Sequence, residues 1–165
     1  MKRNRAGSRR WILLPGPASG LQADFGTAQF VVSVYLLSLG LAQPFQGLLC
    51  DRFGRRPVVL VGFATFAAGS AAAAFAPTLP WLVAARCVQA AGVSVGTVAA
   101  RAMVRDTHEP ERAAISLSFI TAVTGLSPII SPIAGGLIVE TAGWRAVFGL
   151  HAVVALALLG WMFAA

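Results

Sequence analysis

The sequence has little charge. Only 12% of its 165 residues are Asp, Glu, Lys or Arg, about half the share that is usual in a soluble domain. Four long segments carry none of these side chains: 25–50, 57–85, 113–139 and 146–165. Uncharged runs of this length exclude an ordinary soluble globular domain.

Each uncharged run is long enough to cross a lipid bilayer. About 20 apolar residues in a helix cross a hydrocarbon core of about 30 Å. The run 57–85 suffices for two crossings and is interrupted by APTLP at 76–80. Backbone polar groups in lipid must pair within their own helix. The sequence therefore predicts an all-α integral membrane protein with five full spans, at about 27–50, 57–76, 80–104, 114–138 and 144–164.

Residues that bind metals or catalyse reactions are also scarce. The chain has two cysteines and six acidic residues, and their spacing gives no metal or disulfide motif. No Ser/His/Asp set or pair of carboxylates indicates catalysis. We therefore expect no cofactor and no enzymatic activity.

The excess of basic residues, 13 against 6 acidic ones, does not indicate a nucleic-acid partner. The arginines are dispersed among the spans, and no soluble domain exists to present them as a patch. They concentrate in alternate loops, at 51–56 and 101–112, whereas 76–80 has none. This pattern fits the tendency of basic loops to stay in the cytoplasm.

The N-terminal segment does not fit this alternation. Residues 1–10 hold five basic side chains and should also be cytoplasmic, yet the span 27–50 must then begin on the outside. The segment 11–23 between them is too short for an ordinary span. We therefore interpret 1–23 as a basic tail with a truncated first-helix remnant and 24–165 as a bundle of transmembrane helices.

An internal repeat accompanies this topology. The segments 47–59 and 136–148, GLLCDRFGRRPVV and GLIVETAGWRAVF, are identical at five positions with an offset of 89 residues. Both join two spans, and the three spans between them place them on opposite sides of the membrane. Inverted repeats of three helices are typical of secondary transporters.

The first of these segments concentrates charge and backbone-permissive residues at one point. Asp51 can pair with arginine at a helix end, Gly54 allows a tight reversal, and Gly47 lets helices approach closely. A generic basic loop is the alternative. The stretch resembles the motif that joins the second and third helices of the major facilitator superfamily. The resemblance implies a cytoplasmic gate held by a charge network, made of Gly47, Leu49, Asp51, Arg52, Gly54, Arg55 and Arg56.

Asp106 is a further candidate for this gate. It lies at the end of the third predicted span, on the same predicted side as the charged loop 51–56. We expect it to pair with Arg52 or Arg55, the alternative being a solvated loop acid.

A second motif, R-x-x-Q-x-x-G, places Arg86 within a span. An ionisable residue there is costly and is a functional candidate by default, although its side chain could instead reach the outer interface. The resemblance to the superfamily implies a role in proton coupling. Gly92 and Gly96 form a GxxxG pair suited to close helix packing.

A third motif, GLSPIISPIAGG at 125–136, combines glycines with two helix-disrupting prolines. A purely structural kink would explain it. It also resembles the fifth-helix motif of drug–proton antiporters, with Ser131 where that motif has glycine. The residues concerned are Gly125, Pro128, Pro132, Gly135 and Gly136.

Weaker candidates lie elsewhere in the spans. Tyr35 and Gln46 suit either a cavity lining or helix packing. His151 is expected to make a hydrogen bond between helices.

From about Leu21 to its end the chain resembles the N-terminal half of a Bcr/CflA-type drug resistance exporter, helices two to six. The resemblance implies a multi-pass protein of the bacterial cytoplasmic (inner) membrane that exports small amphipathic, drug-like substrates. The proton gradient would supply the energy, and a second six-helix half would be needed. No acid lies in mid-span, so we expect an incomplete form that does not transport alone. An inactive truncated protein, a non-transporting interaction partner and a metabolite transporter are the alternatives.

Overall fold

The computed structural model describes residues 25–164, and they form five α-helices. The helices are α1 (Phe25–Phe53), α2 (Arg55–Ala74), α3 (Leu79–Thr107), α4 (Pro110–Ala142) and α5 (Trp144–Ala164). All five are long and apolar enough to cross a membrane. The prediction of an all-α protein with five spans is confirmed.

Large apolar side chains cover the outside of the bundle. Large apolar residues on all five helices are more than one-third exposed, for example Phe45, Val61 and Phe163. In water such a surface would drive aggregation, whereas lipid tails are as apolar as these side chains. The described chain is thus built for a hydrocarbon surrounding.

The interior is formed mainly by small residues between α2 and α3. The buried positions of α2 include Gly62, Gly69 and Ser70, and those of α3 include Gly92 and Ser94. Helices in lipid gain little from the hydrophobic effect, so close backbone contact between small residues holds them together. This pair of helices is the centre of the described fold.

The other helices surround this pair unequally. α1 packs along α3, and α5 packs along α2, while α1 and α2 touch little although they are consecutive. α4 has the least contact with the rest of the described chain, and Ala113 is its buried residue.

Two glycines turn the chain directly from one helix into the next. Gly54 (φ 83°, ψ 158°) separates α1 from α2, and Gly143 (φ 81°, ψ 164°) separates α4 from α5. Side chains are almost excluded from this backbone region. The two positions are 89 residues apart, as the repeat in the sequence has them, and their dihedral angles agree within a few degrees.

The structure corrects the predicted loops. α1 continues through Asp51 and Arg52 to Phe53, so the charged segment 51–56 is helical except for Gly54. The segment 101–112 is likewise helical except at 108–109, and Glu140 lies within α4. Uncharged runs mark the thickness of the lipid, but the helices go on for about a turn into the charged zone at each end.

Two further expectations concern α4 and the N-terminus. Pro128 and Pro132 lie within a helix that runs unbroken through Pro110–Ala142. The basic tail and the first-helix remnant assigned to 1–23 lie outside the described residues.

Candidate functional site

The charged motif and the end of α3 meet on the predicted cytoplasmic side. Arg55, at the first position of α2, forms an ion pair with Asp106, in the last turn of α3. The two side chains are 31% and 55% exposed, so water screens their attraction and the pair adds little to stability. The pair joins the ends of α2 and α3 that lie on the predicted cytoplasmic side. A role in gating stays a prediction.

The neighbouring arginines point to different partners. The Nη2 atom of Arg56 donates to the backbone carbonyl of Met162 in α5, at 3.3 Å. The guanidinium of Arg52 lies over the ring of Phe53, 5.5 Å from its centroid. Among residues 25–164 neither arginine forms a salt bridge, and Asp51 makes none either. Among the described residues the motif therefore has one arginine in an ion pair, Arg55, one bonded to α5, Arg56, and one without a polar partner, Arg52.

Gly47 differs from its expected role. A Cβ atom built on it would meet no heavy atom within 4 Å. No described helix packs closely there, so close approach of two helices does not explain this glycine within the described chain.

Arg86 lies where three helices converge. It is on α3, about 10 Å along the axis from Leu79 by the rise of 1.5 Å per residue. Its guanidinium carbon is 4.1 Å from the ring centroid of Tyr35 in α1 and 5.4 Å from that of Phe148 in α5. Two aromatic faces on one guanidinium attract the charge through the ring quadrupoles. This arrangement holds the cation inside the bundle.

A chain of hydrogen bonds fixes the position of Arg86. Its Nη1 atom donates to Oε1 of Gln89 at 2.6 Å, and Nε2 of Gln89 donates to Oγ of Ser70 at 2.7 Å. Ser70 in turn donates to the carbonyl of Phe66 at 2.7 Å. Gln89 and Ser70 are almost completely buried. The orientation of Arg86 is therefore tied to α2 through two side chains that have no contact with water.

One donor of Arg86 is buried without a partner among the described residues. This donor is the Nε atom of the side chain. A buried guanidinium with a spare donor is a suitable place for a polar or anionic group to bind.

The motif on α4 lies on an exposed helix. A Cβ atom added to Gly125, Gly135 or Gly136 would meet no heavy atom within 4 Å, and Pro128 and Pro132 are exposed. None of these glycines is in contact with Arg86 or with the charged cluster, which consists of the residues 51–56 and Asp106. A packing role for them requires groups other than those described.

Some important residues were not found from the sequence. Ser70 looked like one of many small residues in α2, and Gly62 and Gly69 were not singled out. Their spacing of seven residues along one helix face was the available signal. The sequence indicates Tyr35 only as a weak candidate and carries no signal for Phe148.

His151 makes its hydrogen bond within its own helix. The Nδ1 atom lies 2.7 Å from the carbonyl of Val147, and the ring meets Phe66 of α2 edge-on with centroids 6.0 Å apart. The expected hydrogen bond between helices is therefore wrong, although the ring does contact another helix.

Metal or carboxylate chemistry has no visible centre within residues 25–164. No group of three or more His, Cys, Asp or Glu side chains there could hold a metal ion. The described acids, at positions 51, 106, 109, 111 and 140, lie at helix ends or between helices.

Comparison with known proteins gives a consistent result. The family model described as "Major Facilitator Superfamily" matches residues 8–165. "Multidrug resistance protein D" of Escherichia coli K12 is 37% identical over 131 residues, which are 79% of this chain and 33% of that protein. "Multidrug resistance protein MdtL" of E. coli O45:K1 and of Shigella dysenteriae serotype 1 is 34% identical over 146 residues, 88% of this chain and 37% of those proteins. The chain thus spans about a third of the length of the curated relatives that it matches.

Proposed function

Since the chain belongs to the major facilitator superfamily, we propose that it contributes to proton-coupled export of small amphipathic drugs across the bacterial cytoplasmic membrane. The observation that carries this proposal is the arrangement around Arg86, a cation fixed inside the bundle whose buried Nε donor has no partner among the described residues. The names of its relatives, which are multidrug resistance proteins, favour drugs over metabolites as substrates.

The geometry suggests how Arg86 would act. Its charge is only partly shielded by water, so a proton or an anionic group arriving nearby changes the local electrostatic energy strongly. Tyr35 and Phe148 belong to other helices than Arg86. A change in the pairing of Arg86 would therefore alter the contacts that α3 makes with α1 and α5. In this way the protonation of a carboxylate near Arg86, supplied by the first helix or by the second half, would be coupled to helix movement.

The charged cluster supplies the second part of the proposed cycle. The contact between Arg55 and Asp106 holds α2 and α3 together on the cytoplasmic side, and opening that side would separate these residues. The ion pair is exposed and weak, which suits a contact that must break and re-form in each cycle.

The exposed face of α4 indicates where the second six-helix half that transport requires would bind. The glycines and prolines of its motif lie on a helix with little contact to the described chain. We therefore expect α4 to face a second six-helix half, with the substrate bound between the halves. The alternative, a membrane protein that binds a partner without transporting, uses the same face.

Ethidium efflux from a bacterial strain without major drug pumps tests the function. The coding region is first sequenced on both sides, and the longest continuous reading frame is expressed alongside the 165-residue chain. We expect efflux that stops when a protonophore collapses the gradient, and its loss in Arg86→Gln and Arg86→Lys. Arg145→Lys is the matched control, because Arg145 also lies over an aromatic ring but is exposed.

The outcomes separate the candidate functions. Efflux that survives Arg86→Lys would contradict the assigned role of Arg86. Efflux that ignores the protonophore would exclude proton coupling. If neither form exports ethidium or other amphipathic cations, the non-transporting partner becomes the better description.

A further inference from the structure

An apolar groove runs along the bundle between α1 and α2. Its walls are residues 46–53 of α1 and 57–65 of α2, and Ala91 and Gly92 of α3 form its floor. The groove exists because α1 and α2 both pack on α3 but hardly touch each other. Its volume is about 380 Å³, which is within the range of ligand pockets, roughly 300–1,000 Å³.

The few polar groups in the wall are already satisfied. Gln46 donates through Nε2 to the carbonyl of Ala91 at 3.0 Å, and Thr65 donates to the carbonyl of Val61 at 2.8 Å. The remaining lining is almost entirely apolar side chains. An occupant of the groove is therefore a hydrocarbon rather than a polar ligand.

The dimensions of the groove favour an occupant more slender than a helix. The wall residues extend over about 12 Å at a rise of 1.5 Å per residue. The volume of about 380 Å³ is far below that of a helix segment of this length, which at a diameter of about 10–12 Å occupies roughly 900–1,400 Å³. A single extended hydrocarbon chain, whose carbons make contacts at about 4 Å, is small enough to lie in the groove.

The charge at one end of the groove complements an anionic head group. Phe53 and Pro57 close the cytoplasmic end, and the guanidinium of Arg52 lies over the Phe53 ring. Within residues 25–164 Arg52 forms no salt bridge, while Arg55 is paired with Asp106 and Arg56 is directed to α5. The cytoplasmic leaflet carries anionic lipids that attract basic residues at its surface.

We propose that the groove between α1 and α2 binds one anionic phospholipid of the cytoplasmic leaflet. One of its two acyl chains lies between Leu49 and Val61 above the floor of α3, and its phosphate binds Arg52. This site is separate from the Arg86 region, so it holds whether or not the chain takes part in drug export. The bound acyl chain fills the space between α1 and α2, which make little direct contact with each other.

Native mass spectrometry of the full 165-residue chain tests the proposal. The protein is reconstituted in nanodiscs of equal parts phosphatidylglycerol and phosphatidylcholine, released gently, and the retained lipids are counted. We expect one phosphatidylglycerol to be retained in preference to phosphatidylcholine. Removing the charge in Arg52→Gln should lower that preference about fivefold, since one basic residue near the membrane contributes about 1 kcal/mol.

A second variant tests the acyl-chain site. Val61→Phe fills the groove and should remove the retained lipid of either head group. Val153→Phe is its control, because Val153 on α5 has nearly the same exposure, 64% against 66% for Val61, but lies outside the groove. Arg112→Gln is the control for Arg52→Gln, as an exposed arginine at the same side of the membrane.

Two results would overturn the proposal. One is equal lipid retention in Val61→Phe and the wild type, which would leave the groove to side chains of another helix. The other is an equal loss in Arg52→Gln and Arg112→Gln, which would reduce the effect to general surface charge. If Val61→Phe does not fold, Thr65→Leu fills the same groove from the next turn of α2 and gives the same test.

Discussion

Replacing Gly92 with alanine tests the close packing of α2 against α3. A Cβ atom at this position would collide with the backbone nitrogen of Phe66 and would lie 2.7 Å from the carbonyl oxygen of Gly62. Ordinary contacts between heavy atoms are about 3.5–4.0 Å. Both obstacles are backbone atoms, which no rotamer change can remove. The two helices must therefore separate by about 1 Å.

The expected loss follows from this separation. Overpacking a tight contact costs about 1–3 kcal/mol. Alanine also favours the helix over glycine by about 1 kcal/mol, which offsets part of the loss. The control Gly125→Ala has the same helix preference and meets no heavy atom within 4 Å. The difference between the two variants thus isolates the steric term of about 1–3 kcal/mol, or about 4–8 °C in midpoint for a loss of about 2 kcal/mol.

The buried thiol of Cys50 provides the assay. Cys50 is 6% exposed and packs in a cluster with Val59, Val95 and Ala99. In a Cys87→Ser background it is the only thiol, since the chain has two cysteines. A thiol-reactive dye then reports the temperature at which the bundle opens in detergent. Equal midpoints for Gly92→Ala and Gly125→Ala would refute the close contact between α2 and α3.

Gly54→Ala should destabilise the bundle by about 1–3 kcal/mol, because its backbone angles exclude a side chain, and the same dye assay measures it. Ser70→Ala should cost about 1–3 kcal/mol by leaving the amide of Gln89 without its buried acceptor, measured as a lower unfolding midpoint. Asp106→Asn should change stability by no more than about 1 kcal/mol but should speed hydrogen exchange at the ends of α2 and α3, where Arg55 loses its partner.

Each of these variants has a control in the chain. Gly47→Ala lies in open space within α1 and should not lower the midpoint, so a loss equal to that of Gly54→Ala would refute the backbone argument. Ser118→Ala removes an exposed hydroxyl that bonds only within its own helix, and it should be neutral. Glu111→Gln removes a charge five positions further along the chain that forms no ion pair within residues 25–164, and exchange as fast as in Asp106→Asn would argue against a specific contact.

The spans were predictable because lipid imposes a length on them. Each uncharged run in the sequence corresponds to one helix, or to two in the case of 57–85. The ends were not predictable in the same way. A helix continues past the lipid while its backbone bonds are satisfied, and charged residues such as Arg52 and Arg105 are good helix formers. Hydropathy therefore predicts the number of helices but not the residues at which they begin and end.

The surroundings of Arg86 were only partly predictable. A charged residue inside an apolar run is conspicuous, and Gln89 follows one turn later on the same face. Ser70 and Phe148 are 16 and 62 positions away in the sequence, and their roles depend on how the helices rotate against each other. Small and aromatic residues are too common in this chain for such pairings to be read from composition.

Comparing the two copies of the repeat shows which residues the turn between helices requires and which residues occur only in the charged copy. Gly54 and Gly143 adopt the same backbone angles, so a sharp connection between two helices requires only that glycine. The second copy achieves it with an uncharged threonine and a tryptophan at the positions equivalent to Arg52 and Arg55. Arg52 and Arg55 are therefore not needed to reverse the chain, whereas Arg56 recurs as Arg145. The presence of Arg52 and Arg55 on one side of the membrane alone indicates partners found only there, and Asp106 and anionic lipid both meet that condition.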